Sequence, residues 1–286
     1  METITDAFAA TLALAADGRG RFAAAQPLQS WPGIVHGGGL VALLDEAAAT
    51  LGRAAGPRML EGRLTSSVPI GTALPLEGHA DDGAITVSIL ESGQPLTSAT
   101  ITPLKEEPAR AVAPWQPERE GWPLPMSEGC LACGAVNPLG LQVRLRFDAD
   151  GVWASLTPRE PWRAPDGGLH PALAPVALDE VAWWLGALLM KEGGLTNRIN
   201  LALVRPDAPF TGPLLAAGRF ADVKAIDRKR SFWRTETALL GADSAPLATA
   251  SIVFRGGADY SVRQMEYFRP RTPPQIFRRM FPNYAR

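Results

Sequence analysis

The stretch WPGIVHGGGLVALLDEAAATLG, residues Trp31–Gly52, returns 134 positions later as PDGGLHPALAPVALDEVAWWLG, residues Pro165–Gly186. Aligned without a gap, Gly33 meets Gly167, His36 meets His170, and Leu44-Asp45-Glu46 meets Leu178-Asp179-Glu180. Gly52 meets Gly186 in the same register. Chance explains one Leu-Asp-Glu. It is a poor account of a His, an acid pair and two flanking glycines together. Repeats are the first thing to seek in a chain, and this one reads as two copies of one α+β unit fused head to tail.

The flanks agree with that reading. A strand-like segment precedes each helix, at 20–26 and 151–157. Several follow, separated by turns such as Asp82-Gly83 and Ser92-Gly93. In the first half they are 74–80, 84–90 and 95–102; in the second, 198–204, 214–227, 231–240 and 245–254. The first copy therefore looks trimmed. The expected division is a unit over 1–104, a Pro-rich linker over 105–128, a second unit over 129–257, and a basic, aromatic tail over 258–286. The tail is expected to strap over the body by its Phe and Tyr side chains.

A chain of 286 residues suits two ordinary domains. Its 46% hydrophobic and 20% charged residues suit globular units with real cores. A net charge of −1 argues against a general nucleic-acid binder, which needs a clear basic excess. Two cysteines are too few for a disulfide scaffold. The opening METITDAF has no basic residue, unlike a signal peptide. No apolar run of membrane-spanning length is free of charge. A cytoplasmic protein with no nucleic-acid or membrane partner is expected.

The segment from Val35 to Leu51 is apolar enough to be a buried helix. Its first turn offers backbone N–H groups without internal partners, where negative charge is favoured. Gly37 and Gly38 leave room for close approach to that backbone. These features suit an oxyanion forming on an acyl carbonyl; a tight turn packed on a strand needs the same glycines. Asp45 and Asp179 stand in apolar surroundings, where a carboxylate is costly unless paired and is open to pKa tuning. Glu46 and Glu180 follow them but point elsewhere on the helix.

At these residues the sequence resembles the hotdog-fold acyl-CoA thioesterases of the phenylacetate-pathway type. Their pattern is His-Gly-Gly at a helix start with an acid nine residues after the His, here His36-Gly37-Gly38 and Asp45. The run Cys130-Leu-Ala-Cys133-Gly134-Ala-Val-Asn137-Pro138-Leu-Gly140-Leu141 resembles the opening of many such domains. The resemblance implies two tandem hotdog units, each a curved antiparallel sheet wrapped around a central helix. It also implies sites that combine the helix start of one unit with the acid of the other. Spacing agrees: Gly37 and Asp45 are separated by roughly 12 Å along one helix.

Site one is thus expected to join His36, Gly37 and Gly38 with Asp179 and Glu180. Site two would join His170, Pro171 and Ala172 with Asp45 and Glu46. Proline has no N–H to donate, so site two is expected to be degraded, with Trp183 and Trp184 crowding it. Arg205, Arg228 and Arg230 are candidates for the phosphates of coenzyme A. No cofactor is expected beyond coenzyme A as part of the substrate. No metal is expected either, because Cys130 and Cys133 lack an obvious second pair of ligands. The implied reaction is acyl-CoA hydrolysis, with non-catalytic binding of an acyl-CoA or apolar ligand as the alternative. A hotdog dehydratase is disfavoured, because the Asp-x-Asn-Pro-x-His pattern of that group is absent. Unpaired sheet edges would favour a homo-oligomer of pseudo-dimers.

Overall fold

The structure, a computed structural model, describes residues 2–106 and 120–285. The stretch 107–119, most of the expected linker, lies outside the described residues. In the first half, helix α1 (Ile4–Thr11) precedes strands β1 (Leu12–Leu14) and β2 (Arg19–Phe22). Helix α2 (Gly37–Ala49) follows, then β3 (Arg58–Leu64), β4 (Leu74–Asp81), β5 (Ala84–Glu91) and β6 (Gln94–Pro103). In the second half, β7 (Trp122–Pro123), β8 (Arg146–Phe147) and β9 (Gly151–Leu156) precede helix α3 (Leu173–Met190). After it come β10 (Gly194–Leu203), β11 (Leu214–Arg219), β12 (Lys224–Ala225), β13 (Phe232–Leu240) and β14 (Pro246–Gly256). Helices α4 (Ala258–Phe268) and α5 (Pro274–Met280) form the tail.

All strands join one open antiparallel sheet in the order β1-β2-β4-β5-β6-β3-β10-β14-β13-β11-β9-β8-β7, with β12 beside β13. The seam is the pair β3 and β10, where Leu60 faces Leu201. Outward from it the order on one side is β6, β5, β4, β2, β1, and on the other β14, β13, β11, β9, β8, β7. Each half thus has four strands of six or more residues after its helix, the second adding only the two-residue β12, so the first half is not trimmed. Among the strands of six or more residues, the one missed in the sequence is β3, RMLEGRL. Its inward positions hold Arg58 and Gly62 besides leucines, which hides the alternation that marks a half-buried strand. Gly62 is needed there: a Cβ would press on Val41 of α2.

Helices α2 and α3 lie on their own halves of the sheet and pack against each other. The contact is close because Gly38 has no side chain; a Cβ there would meet the Pro175 carbonyl oxygen. Helix α3 is long and apolar enough to cross a membrane by composition, yet 78% of it is buried inside the protein. It is the core helix of its half. The tail covers the α3 end of the core: Phe268 packs on Trp31 and Trp184 at ring distances of 5.0 and 5.2 Å.

Candidate active site at the start of helix α2

His36 is the N-cap of α2, and its Nδ1 accepts the Gly39 N–H at 3.3 Å. The backbone before it is fixed by a bond from His36 N to the Leu28 carbonyl. Across the helix contact stands Asp179 of α3. Its Oδ2 accepts the Gly38 N–H at 2.7 Å and its Oδ1 the Thr196 hydroxyl at 2.6 Å. His36 Nδ1 also lies 3.5 Å from Asp179 Oδ2, and His36 Nε2 lies 3.5 Å from Glu180 Oε2. One Nδ1 cannot accept from Gly39 and donate to Asp179 at once, so the ring's protonation sets which bond it keeps. Among the described residues the Gly37 N–H has no partner.

These groups line one cavity of about 170 Å³. Gly37, His36, Asp179, Glu180 and Cys130 meet in it, and Trp31, Trp183 and Phe268 form an apolar wall. The electrostatics are tuned. Burial alone would lower the His36 pKa, but Cys130, Glu180 and Asp179 outweigh it and hold it well above the usual value. Burial raises the Asp179 carboxyl, against the pull of His36, Thr196 and Gly38. Burial would also raise the Cys130 thiol, yet the Cys133 thiol and the His36 ring bring it down to about 7. Cys133, hydrogen-bonded to Cys130 and buried, is pushed well up.

Cys130 arrives on a buried loop, 129–141, that ties the second half to the first. Asn137 Nδ2 donates to the carbonyls of Pro27 and Gly129, and its Oδ1 accepts the Leu139 N–H. The Leu131 N–H donates to the Gln29 carbonyl at 2.7 Å. This explains the spacing of the Cys-x-x-Cys-Gly and Asn-Pro-x-Gly-Leu run, whose Gly134 and Gly140 have no room for a Cβ. The two thiols are free. His36, Cys130 and Glu180 place ligating atoms within 4.8 Å of one another. That is three donors, one short of the four of a structural zinc site. Glu180 and Cys130 lie 50 residues apart in the chain, and only the fold brings them together.

The second set of residues meets a different fate. Asp45 is gripped by Arg58, with Nη2 to Oδ2 at 2.6 Å and Nε to Oδ1 at 2.9 Å, and by Arg53 at 3.1 Å. Glu46 points to solvent. His170 accepts the Ala172 N–H at 3.2 Å and takes the edge of Phe8 from α1. Burial pushes the His170 pKa down to about 4. Trp183 and Trp184, expected there, instead wall the cavity beside His36. The reason is helical spacing: Trp183 is one turn beyond Asp179, on the face that Asp179 presents.

Of the expected cationic residues, Arg205 pairs with Asp243 at 3.1 Å. Arg228 and Arg230 are exposed on a turn, where Arg230 stacks on Trp233. None of the three lines the cavity; Arg255 does. The turn is nonetheless adjacent, since the Gly256 N–H donates to the Ser231 carbonyl. Sequence reasoning missed Thr196 and Arg255. Both sit on strands, where nothing in the local pattern separates them from solvent-facing residues.

The arrangement of two helix-bearing halves is shared with solved structures. A hot dog fold protein of unknown function from Alicyclobacillus acidocaldarius is 18% identical, with a TM-score of 0.61 over 88% of this chain and 97% of that one. The chain has a double-hotdog fold. A candidate thioesterase II from Thermobifida fusca is 14% identical, with a TM-score of 0.62 over 87% of this chain and 98% of that one. An acyl-CoA thioesterase II from Mycobacterium marinum is 11% identical, with a TM-score of 0.55 over 87% and 96%. Dehydratase domains share the double hotdog as well. No family model and no curated protein matches the chain.

Proposed function

We propose that this double hotdog hydrolyses acyl-CoA thioesters to free acid and coenzyme A, in the cavity where α2 starts against α3. The carrying observation is that the unpartnered Gly37 N–H and the buried acid Asp179 line the same cavity. The N–H stabilises charge on the carbonyl oxygen as the tetrahedral intermediate forms. Asp179, its pKa raised by burial, is placed to draw a proton from water, with the charge of His36 at 3.5 Å to steady the carboxylate. The apolar wall takes the acyl group. Arg255 and the neighbouring turn with Arg228 and Arg230 suit the phosphates of coenzyme A.

Solved neighbours include acyl-CoA thioesterases and a dehydratase domain in complex with C12:1-CoA, which supports a thioester ligand. The Asp-x-Asn-Pro-x-His pattern of the dehydratase group is absent from this chain. One observation favours ligand binding without turnover. Both Asp179 oxygens are already hydrogen-bonded, and Oδ2 occupies the Gly38 N–H.

Thiol release from a panel of acyl-CoAs separates the two readings. The expected result is turnover that falls at least a hundredfold in Asp179→Asn. Asp45→Asn should keep whatever activity its stability allows. Activity lost in Asp45→Asn but intact in Asp179→Asn would place the site at the other helix start. Thermal stabilisation by acyl-CoA with no thiol release would leave a binding protein.

A further inference from the structure

Hydrolysis at this site leaves open which atom first attacks the acyl carbon. Asp179 is poorly placed to do so, because Gly38 and Thr196 hold its two oxygens at 2.7 and 2.6 Å. Cys130 is held by longer contacts, its sulfur accepting the Ala132 N–H at 3.3 Å. It lines the cavity together with Gly37 and His36, and its sulfur, a His36 ring nitrogen and Glu180 Oε2 lie within 4.8 Å of one another. The sulfur is 3.9 Å from Glu180 Oε2, which is 3.5 Å from His36 Nε2. Cys130 and the Nε2 edge of His36 thus both face Glu180 Oε2. The opposite edge, Nδ1, faces Asp179.

A nucleophile, a His beside it and an acid behind the His form the arrangement by which enzymes activate weak nucleophiles. Two donors also favour a thiolate here: the Ala132 N–H at 3.3 Å and the Cys133 thiol. A thiolate, not a thiol, is the attacking species.

Resting on the acyl-thioester reading above, we propose that Cys130 is the nucleophile and carries the acyl group as an enzyme thioester, with His36 as its acid and base partner. The Cys130 sulfur attacks the carbonyl carbon, and the Gly37 N–H steadies the oxyanion. The bond from carbon to the coenzyme A sulfur breaks, and that sulfur leaves with a proton from His36. Water then attacks the acyl-Cys130. Its proton passes through Asp179 back to His36, the carbon–sulfur bond to Cys130 breaks, and the carboxylic acid departs. The sum is one acyl-CoA and one water to one acid and one free coenzyme A, with the thiolate and the protonated His36 restored.

A covalent intermediate makes the first step reversible by coenzyme A. The test incubates the full chain with unlabelled hexanoyl-CoA or phenylacetyl-CoA and isotopically labelled coenzyme A. Label entering the acyl-CoA pool is followed alongside thiol release. The expected result is label exchange by the wild type, an acyl mass on the Cys130 peptide after acid quench, and at least a hundredfold loss of both rates in Cys130→Ala. Exchange without hydrolysis would keep the acyl-cysteine and sink the hydrolase reading. Hydrolysis without exchange, within threefold of wild type in Cys130→Ala, would sink the nucleophile and keep the hydrolase. Neither activity on any acyl-CoA would overturn both. Should Cys130→Ala fail to fold, exchange and the acylated peptide in the wild type decide the matter without it.

Discussion

At the residue scale, two aspartates in matching positions have been put to opposite uses. Asp179 faces a cavity and a His whose pKa is raised; Asp45 is clamped by two guanidiniums. Arg58 is only 3% exposed. Removing its partner strands a buried charge, which costs about 3–5 kcal/mol. Asp45→Asn is therefore expected to lower unfolding free energy by that order in a urea titration, and Asp45→Asn with Arg58→Met to recover most of it. The histidines diverge as well. His170 titrates at about 4 in the folded chain, against about 6.5 unfolded. As pH falls, the unfolded state takes the proton first. Stability from neutral His170 is complete above about pH 6.5 and is lost as pH falls towards 4. Replacing it with Gln should flatten the stability curve over that window; an unchanged slope would show that His170 is not the group responsible. His36 works the other way: its pKa is raised, so its contribution is present at low pH and fades as pH rises past its folded value.

At the element scale, the site depends on how closely α2 meets α3. Gly38 is the point of contact, with the Pro175 carbonyl and Asp179 Cβ against it. Gly38→Ala forces the helices apart, at about 1–3 kcal/mol for an overpacked core. Thiol release should fall more than tenfold. Gly39→Ala, whose Cβ would meet the end of the Leu131 side chain at 3.0 Å, should be milder in both respects. The loop 129–141 is the second such element. Asn137→Ala leaves two carbonyls without their amide donor and the Leu139 N–H without its acceptor. Each unsatisfied buried group costs about 1–3 kcal/mol. Faster alkylation of Cys130 by iodoacetamide would show that the loop, and not the helices alone, seats the thiol.

At the scale of the whole molecule, the seam between β3 and β10 makes one sheet of two halves and brings each helix start to the other helix. Each end was then finished differently. Phe8 of α1 closes on His170, whereas the tail builds an aromatic wall beside His36 through Phe268. Phe268→Ala removes a buried ring, at about 3–5 kcal/mol, and enlarges the apolar end of the cavity. The activity profile across acyl-CoAs should shift towards longer or bulkier acyl groups. A profile unchanged in shape would place the acyl group elsewhere.

The sequence by itself determined the two helices, their glycine-rich starts and the paired acids, because an apolar run of fixed period and a repeated register are local properties of the chain. It also marked Pro171 as a lost N–H donor, since that follows from the residue's own chemistry. Strand β3 escaped it because an inward Arg and Gly break the alternation. The tertiary structure alone decided that Asp179 stays in a cavity while Asp45 meets Arg58 and Arg53, and that Cys130 comes to lie beside His36 of the other half. These are contacts between residues far apart in the chain, set by how the two halves and the tail close on one another. No local period or propensity encodes them.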